Sequence, residues 1–200
     1  MVLADDMKKF IINLDRRLDK QTYVLGELNR VGITATRFPA IDTKPGWVGC
    51  AMSHICCMEQ GKSDYCVTVF EDDIKFLVDC PQDLMDEAGD QLPKDWDMVS
   101  WGTSPQGPLK RYSDNLFKLD KKSWCMHAYT INNNNGLIDF IAEHKDNIGK
   151  IDVFMSERVY PSYNCFLVYP LLCTQVQFQS DTCTRSDVST IPKNYNKYVH

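Results

Sequence analysis

The chain has no C-x-x-C pair, no three consecutive basic residues and no long apolar stretch free of proline and amides. Without C-x-x-C spacing, a zinc knuckle or thioredoxin-like site is excluded. With 22 basic against 27 acidic residues and a net charge of −5, it lacks the basic footprint of a nucleic-acid binder. The longest uncharged stretch, Val159 to Ser180, holds Pro161, Pro170, Asn164, Gln175, Gln177 and Gln179, a poor composition for a membrane span. Ten glycines, nine prolines and no heptad run exclude collagen-like and coiled-coil readings.

What is there is ordinary for a globular domain: 44% hydrophobic and 24% charged residues over 200 positions. A chain this long buries about 70% of its unfolded surface and needs no disulfide to fold. The nine cysteines are odd in number, so at least one stays unpaired. Cys66 in YCVTVF and Cys165 in NCFLVYP sit in apolar runs, as small core hydrophobes do. Reduced cysteines, and a start (MVLADDMKKF) with Asp5 and Asp6 but no apolar leader, predict a cytoplasmic protein.

Periodicity predicts a strand over Lys9–Leu14, then a helix over Arg16–Val31, capped by Asp15, with Leu18, Leu25 and Leu28 on one side. It predicts a strand over Ile33–Phe38, a loop over Pro39–Val48 and a helix over Gly49–Gln60. A buried strand over Tyr65–Phe70, a helix over Pro81–Asp90 and a strand over Asp97–Trp101 follow. Gly102–Asp114 reads as loop, Cys125–Ile131 as strand, Asn132–Glu143 and Ile151–Val159 as helices. Asn164–Tyr169 and Thr174–Phe178 are late strands, and the tail after Asp181 is polar enough to wrap the surface. The alternation implies a single α/β domain: a mostly parallel central sheet flanked by helices, with a late antiparallel edge.

The strongest local signal is VTVFEDDI, residues 67–74. Three carboxylates at the end of an apolar strand repel one another unless something positive joins them. In an extended segment Glu71 and Asp73 share a side, giving two hard oxygen ligands for Mg²⁺ or Mn²⁺. Ligands of open α/β sheets bind outside the carboxyl ends of strands, where this cluster sits. The bland alternative is a solvated acidic turn.

FIINLDRRLDK (10–20), TRFPAID (36–42), VGCAMSHI (48–55), VTVFEDDI (67–74) and QFQSD (177–181) occur in that order. Together they resemble glycosyltransferase family 25, the lipopolysaccharide and collagen-type galactosyl- and glucosyltransferases. Lys20 stands where the family usually has arginine, and Gly46 and Gly49 lead into the Ser53-His54 helix. The resemblance implies a GT-A-like, Rossmann-type sandwich. Residues 1–100 or so would bind the nucleotide sugar and about 101–200 the acceptor. It implies a compact member such as bacteria or large DNA viruses carry. The implied reaction is inverting, metal-dependent transfer of a hexose from UDP-glucose or UDP-galactose to a glycan or other hydroxyl acceptor.

Under that resemblance the metal falls to Asp73 and Glu71, with Asp72 able to replace either, and Asp181 either the third ligand or a turn cap. Asn13 and Leu14 would contact base and ribose, and Arg16 or Arg17 the phosphates. Asp42 either binds uracil or ribose or caps its loop. Ser53 and His54 line the donor pocket or serve the helix packing, His54 not as a metal ligand; His127 reads as structural. Asp152 is the candidate general base or a plain N-cap, with Asp97 and Glu157 as alternates. Trp47, Trp101 and Trp124 either stack on sugar rings or fill the core. The acidic cluster alone also allows a nucleotidyltransferase or phosphohydrolase, or a non-catalytic nucleotide-sugar-binding module. Only four histidines speak against a two-metal hydrolase.

Overall fold

The computed structural model describes residues 7–120, 122–182 and 188–199; Asp5, Asp6 and Cys183 lie outside them. Strand β1 (Lys8–Asn13), helix α1 (Leu18–Arg30) and strand β2 (Thr36–Pro39) form a first parallel unit. Helix α2 (Gly46–Gly61) leads to β3 (Cys66–Glu71), which pairs parallel with the other edge of β1. A short β4 (Ile74–Phe76), α3 (Pro81–Asp90) and β5 (Met98–Pro105) follow. The chain then makes a β6 (Lys110–Arg111) and β7 (Leu116–Lys118) excursion and returns through β8 (Ser123–Asn132). Helices α4 (Leu137–Glu143) and α5 (Ile151–Phe154, continued by a π turn over Met155–Val159), strands β9 (Cys165–Val168) and β10 (Cys173–Gln175), and helix α6 (Thr190–Tyr198) complete it.

The main sheet runs β2-β1-β3-β8-β5-β9-β7-β6. It is mixed: β1, β2, β3, β5 and β9 point one way, and β8 runs antiparallel between β3 and β5. No helix separates β5 from β8, so no crossover brings β8 in parallel. The late antiparallel edge exists, but β7 and β6 form it from a segment that reads in part as loop. Strand β10 leaves the main sheet and pairs with β4 in a small sheet of its own.

Residues 66–70 of β3 are all buried because both faces are covered. On one face Val67, Val69 and Tyr129 meet Ile55 and Met58 of α2, Ile141 of α4 and Ile151 of α5. On the other, Cys66, Phe70 and Trp101 meet Val24 and Leu28 of α1 and Met85 of α3. Trp101 is thus core, its indole N–H donating to Thr130.

The inward stripe of α1 differs from the expected leucines. Leu18 and Leu25 are 65% and 47% exposed, whereas Lys20, Val24 and Leu28 are buried at i, i+4, i+8. The helix starts at Leu18 with Arg17 at its N-cap and no side-chain cap; Asp15, two residues before that position, pairs with Arg37 at 2.5 Å. Over residues 188–199 the tail docks through apolar side chains. Ile191, Tyr195 and Val199 pack with Phe117, Leu167 and Leu171, and Tyr195 Oη donates to the Val168 carbonyl at 2.7 Å.

Candidate active site

Strands β1 and β3 end side by side, with Ile12 opposite Glu71, and their following loops open a cavity of about 300 Å³. Leu14, Arg16, Asp42, His54, Glu71, Asp72, Asp73, Asp152 and Asp181 all line it. Trp47 lines it too, while Asn13, Arg17, Ser53, Trp101 and Trp124 do not.

The acidic cluster is a turn rather than an extended run: Glu71 ends β3, Asp72 and Asp73 turn, and Ile74 starts β4. Three side chains hold it. Lys20 Nζ donates to Asp72 Oδ1 and Asp73 Oδ2, each at 3.0 Å. Asn13 Nδ2 donates to Asp72 Oδ2 at 2.8 Å, so Asn13 braces the cluster from beneath instead of facing the cavity. Gln175 Nε2 bridges Glu71 Oε2 at 2.9 Å and Asp73 Oδ1 at 3.0 Å.

Burial pushes the Asp72 carboxyl up. It does the same to Asp73, which the neighbouring Glu71 charge raises further. Burial works against Lys20, yet the Asp73 and Asp72 charges keep its pKa above the ordinary lysine value. Desolvation weighs most on Glu71, but the hydrogen bond from His54 together with the His54, His127 and Lys20 charges holds this carboxyl low. His54, wholly buried, lies 2.9 Å from Tyr129 Oη through Nδ1 and 3.3 Å from Glu71 Oε1 through Nε2.

At the cavity mouth Arg16 reaches Asp42 at 2.8 Å and Asp181 at 2.7 Å. Arg17 pairs with Asp19 and Asp181 and donates to the Gln179 carbonyl at 2.9 Å. Asp181 therefore meets two guanidinium groups. Ser53 is buried: its hydroxyl donates to the Gly49 carbonyl at 2.6 Å and accepts the Ile41 N–H at 2.8 Å. It fastens the 40–43 loop to α2. Two close approaches demand glycine here. A Cβ on Gly49 would lie 1.9 Å from the Ile41 carbonyl oxygen, and one on Gly46 would lie 2.2 Å from that of Asp181.

Asp152 lines the cavity from the first turn of α5, its Oδ1 accepting the Val153 N–H at 2.9 Å. Asp97 is buried and accepts the Asn164 N–H at 2.6 Å, away from the cavity, and Glu157 does not line it either. Cys125 lines the cavity with φ 71°, next to irregular β5–β8 pairing, where strand bulges re-aim side chains.

The lining carries six carboxylates against the three basic side chains Arg16, Lys20 and Lys150. An anionic ligand enters such a cavity with a cation. Glu71 and Asp73 fit one, because Gln175 already draws them together. Turning the Gln175 amide over would present its carbonyl oxygen in place of the N–H group. Lys20 and Gln175 are the residues that sequence reasoning missed. The signal for Lys20 was present, as a basic residue in phase with Val24 and Leu28; nothing in the sequence marks Gln175.

No protein-family model matches the chain, and no curated protein matches it. Solved structures align with most of its length, each of the following with a TM-score below 0.5. A197 from STIV is 12% identical over 86% of this chain and 87% of its own, with a TM-score of 0.48. A glycosyltransferase involved in glycosylation of the major capsid of PBCV-1 is 7% identical over 80% of each chain, at 0.47. The inositol-1-phosphate CTP transferase from T. maritima is 10% identical over 96% of this chain and 79% of its own, at 0.45. No described helix is long and apolar enough to cross a membrane.

Proposed function

We propose that the chain is a divalent-cation-dependent glycosyltransferase of the family 25 type, moving a hexose from a UDP-sugar to a hydroxyl acceptor with inversion. One observation carries the reading: a single cavity is lined both by the Glu71-Asp73 pair and by Asp152. Inverting transfer needs both ends. A diphosphate leaving group must be stabilised, and a carboxylate must take the acceptor proton from the opposite side.

Mn²⁺ or Mg²⁺, held by Glu71 and Asp73, would supply positive charge to the departing diphosphate. Arg16 at the mouth adds a guanidinium suited to phosphate oxygens. Leu14 and the Ala40–Thr43 loop wall the nucleotide end, and Asp42 can accept from ribose or base. Asp152 receives the proton of the attacking hydroxyl. Ser53, Gly46 and Gly49 act indirectly by setting the loop positions.

The test is product analysis with a panel of UDP-sugars, with and without Mn²⁺ and simple sugar acceptors. The expected result is Mn²⁺-dependent UDP release coupled to a new glycoside. Pyrophosphate release from a nucleoside triphosphate and a sugar phosphate would assign nucleotidyl transfer instead. Saturable UDP-sugar binding without turnover would assign a binding module.

A further inference from the structure

The cavity holds a second set of metal-ligand atoms, of which the proposed sugar chemistry uses only the Glu71 carboxylate. Cys50 and His54 project from the same face of α2, four residues apart, towards the end of β3. The Cys50 thiol, the His54 ring and the Glu71 carboxylate each offer a ligand atom, and all three atoms lie within 4.8 Å of one another. We propose that Cys50, His54 and Glu71 form a site for a zinc-class transition-metal ion, separate from the oxygen-only position between Glu71 and Asp73.

The donor chemistry carries this. A thiolate, an imidazole and a carboxylate suit borderline cations such as Zn²⁺, whereas Mg²⁺ and Ca²⁺ select oxygen. The geometry agrees. Nitrogen and oxygen ligands about 2.0–2.1 Å from a tetrahedral zinc stand about 3.3 Å apart, and His54 Nε2 lies 3.3 Å from Glu71 Oε1. Three protein ligands leave the fourth position open to the cavity that all three line, the usual arrangement of a reactive rather than a structural zinc.

The surroundings fit as well. A metal-bound histidine needs its other ring nitrogen fixed by a partner, and Tyr129 Oη stands 2.9 Å from Nδ1. On binding, the Cys50 thiol loses its proton to solvent and His54 carries its single ring proton on Nδ1, donating to Tyr129. Glu71 serves both positions with different oxygens, since Oε2 is already taken by Gln175.

This inference stands whether or not the chain transfers a sugar, so its test reads metal alone. Chelator-stripped full chain is titrated with Co²⁺ and followed by the near-ultraviolet thiolate-to-cobalt band, then back-titrated with Zn²⁺. One equivalent with that band, displaced by Zn²⁺, is expected. Cys50→Ser, a near-isosteric change checked for folding by circular dichroism, should abolish the band. Cys125→Ser, at the other cavity thiol, should keep it. Tyr129→Phe should keep the band and weaken Zn²⁺ binding about 10- to 100-fold. Absence of the band in the parent chain, its persistence in Cys50→Ser, its loss in Cys125→Ser, or unchanged affinity in Tyr129→Phe would each overturn the assignment.

Discussion

Lys20 Nζ lies 3.0 Å from the Asp73 carboxylate, with 8% of the lysine side chain and 16% of the aspartate exposed. The ammonium group stands among the charges a divalent ion would join. Lys20 braces the acidic cluster that a divalent ion would have to share with it. Removing one partner of a buried pair costs about 3–5 kcal/mol. Lys20→Met should lower the melting temperature accordingly. Added Mn²⁺ should raise the melting point of this variant more than that of the parent chain. Equal Mn²⁺ shifts in both would show that lysine and cation do not share these carboxylates.

Two alanine substitutions in helices should move stability in opposite directions. Gly26 of α1 has open space around its missing Cβ, so Gly26→Ala should stabilise by about 0.5–1 kcal/mol. Gly49 of α2 gains the same propensity term but would drive its Cβ to 1.9 Å from the Ile41 carbonyl oxygen. Overpacking typically costs about 1–3 kcal/mol, and backbone yields less readily than a side-chain tip. Denaturant midpoints should rise for Gly26→Ala and fall for Gly49→Ala. A stabilised Gly49→Ala would mean that the 40–43 loop is not seated on α2.

Glu27 gives an acid-sensitive fastening between α1 and β4. Its carboxylate bonds Arg30 at 2.8 Å and accepts the Phe76 N–H at 2.7 Å. The Arg30 hydrogen bond, opposed by burial, holds its pKa below the ordinary value of 4.5. A depressed carboxylate contributes stability that is present above its unfolded pKa and is lost as pH falls through the folded one. From pH 7 to pH 3 the parent chain should lose more melting temperature than Glu27→Gln. Matching acid profiles would remove Glu27 from this role.

The sequence made the outer frame readable because its signals were strong and local. Pro81 marks the first turn of α3, and the apolar run before Glu71 marks β3. The acids after that strand point to the cavity without any knowledge of packing. What was not readable depends on distant pairing. Nothing local in Cys125–Ile131 says that β8 enters antiparallel, and nothing in Gln175 says that it will bridge Glu71 and Asp73 from over 100 residues away. The polar tail hid its role for a related reason. Ile191, Tyr195 and Val199 are spaced four apart, so few apolar residues suffice to dock one turn after another. Asn13 lies outside the cavity lining and donates to Asp72, and a strand-end amide looks alike in sequence whether it faces a ligand or props a neighbouring carboxylate.

Asp152 tests the acceptor side. It is the carboxylate of α5 in the cavity, and it has no part in holding the Glu71–Asp73 turn. Losing a general base typically costs about 10²–10⁴-fold in rate. Asp152→Asn should lose transfer on that scale while calorimetry shows unchanged UDP-sugar affinity. Lost affinity would place Asp152 against the donor, and near-normal turnover would require another base.

Asp181 separates two readings of one residue. As a metal ligand it would add a negative charge to the cation, so Asp181→Asn would weaken UDP binding and its Mn²⁺ dependence. The structure pairs it instead with Arg16 and Arg17, where a carboxylate stands in the position of an anionic ligand. Arginine forks take phosphate and carboxylate by the same geometry. An incoming diphosphate would then have to displace Asp181. The Arg16 pair, half-exposed on the arginine side, is worth about 0.2–1 kcal/mol, so freeing Arg16 should tighten UDP binding by about 1.4- to 5-fold. Isothermal titration of Asp181→Asn with UDP, at fixed Mn²⁺, reads the sign directly. Tighter binding identifies Asp181 as the internal competitor of the phosphates. Weaker binding, with a reduced response to Mn²⁺, would return it to the metal and leave Arg16 and Arg17 as its supports.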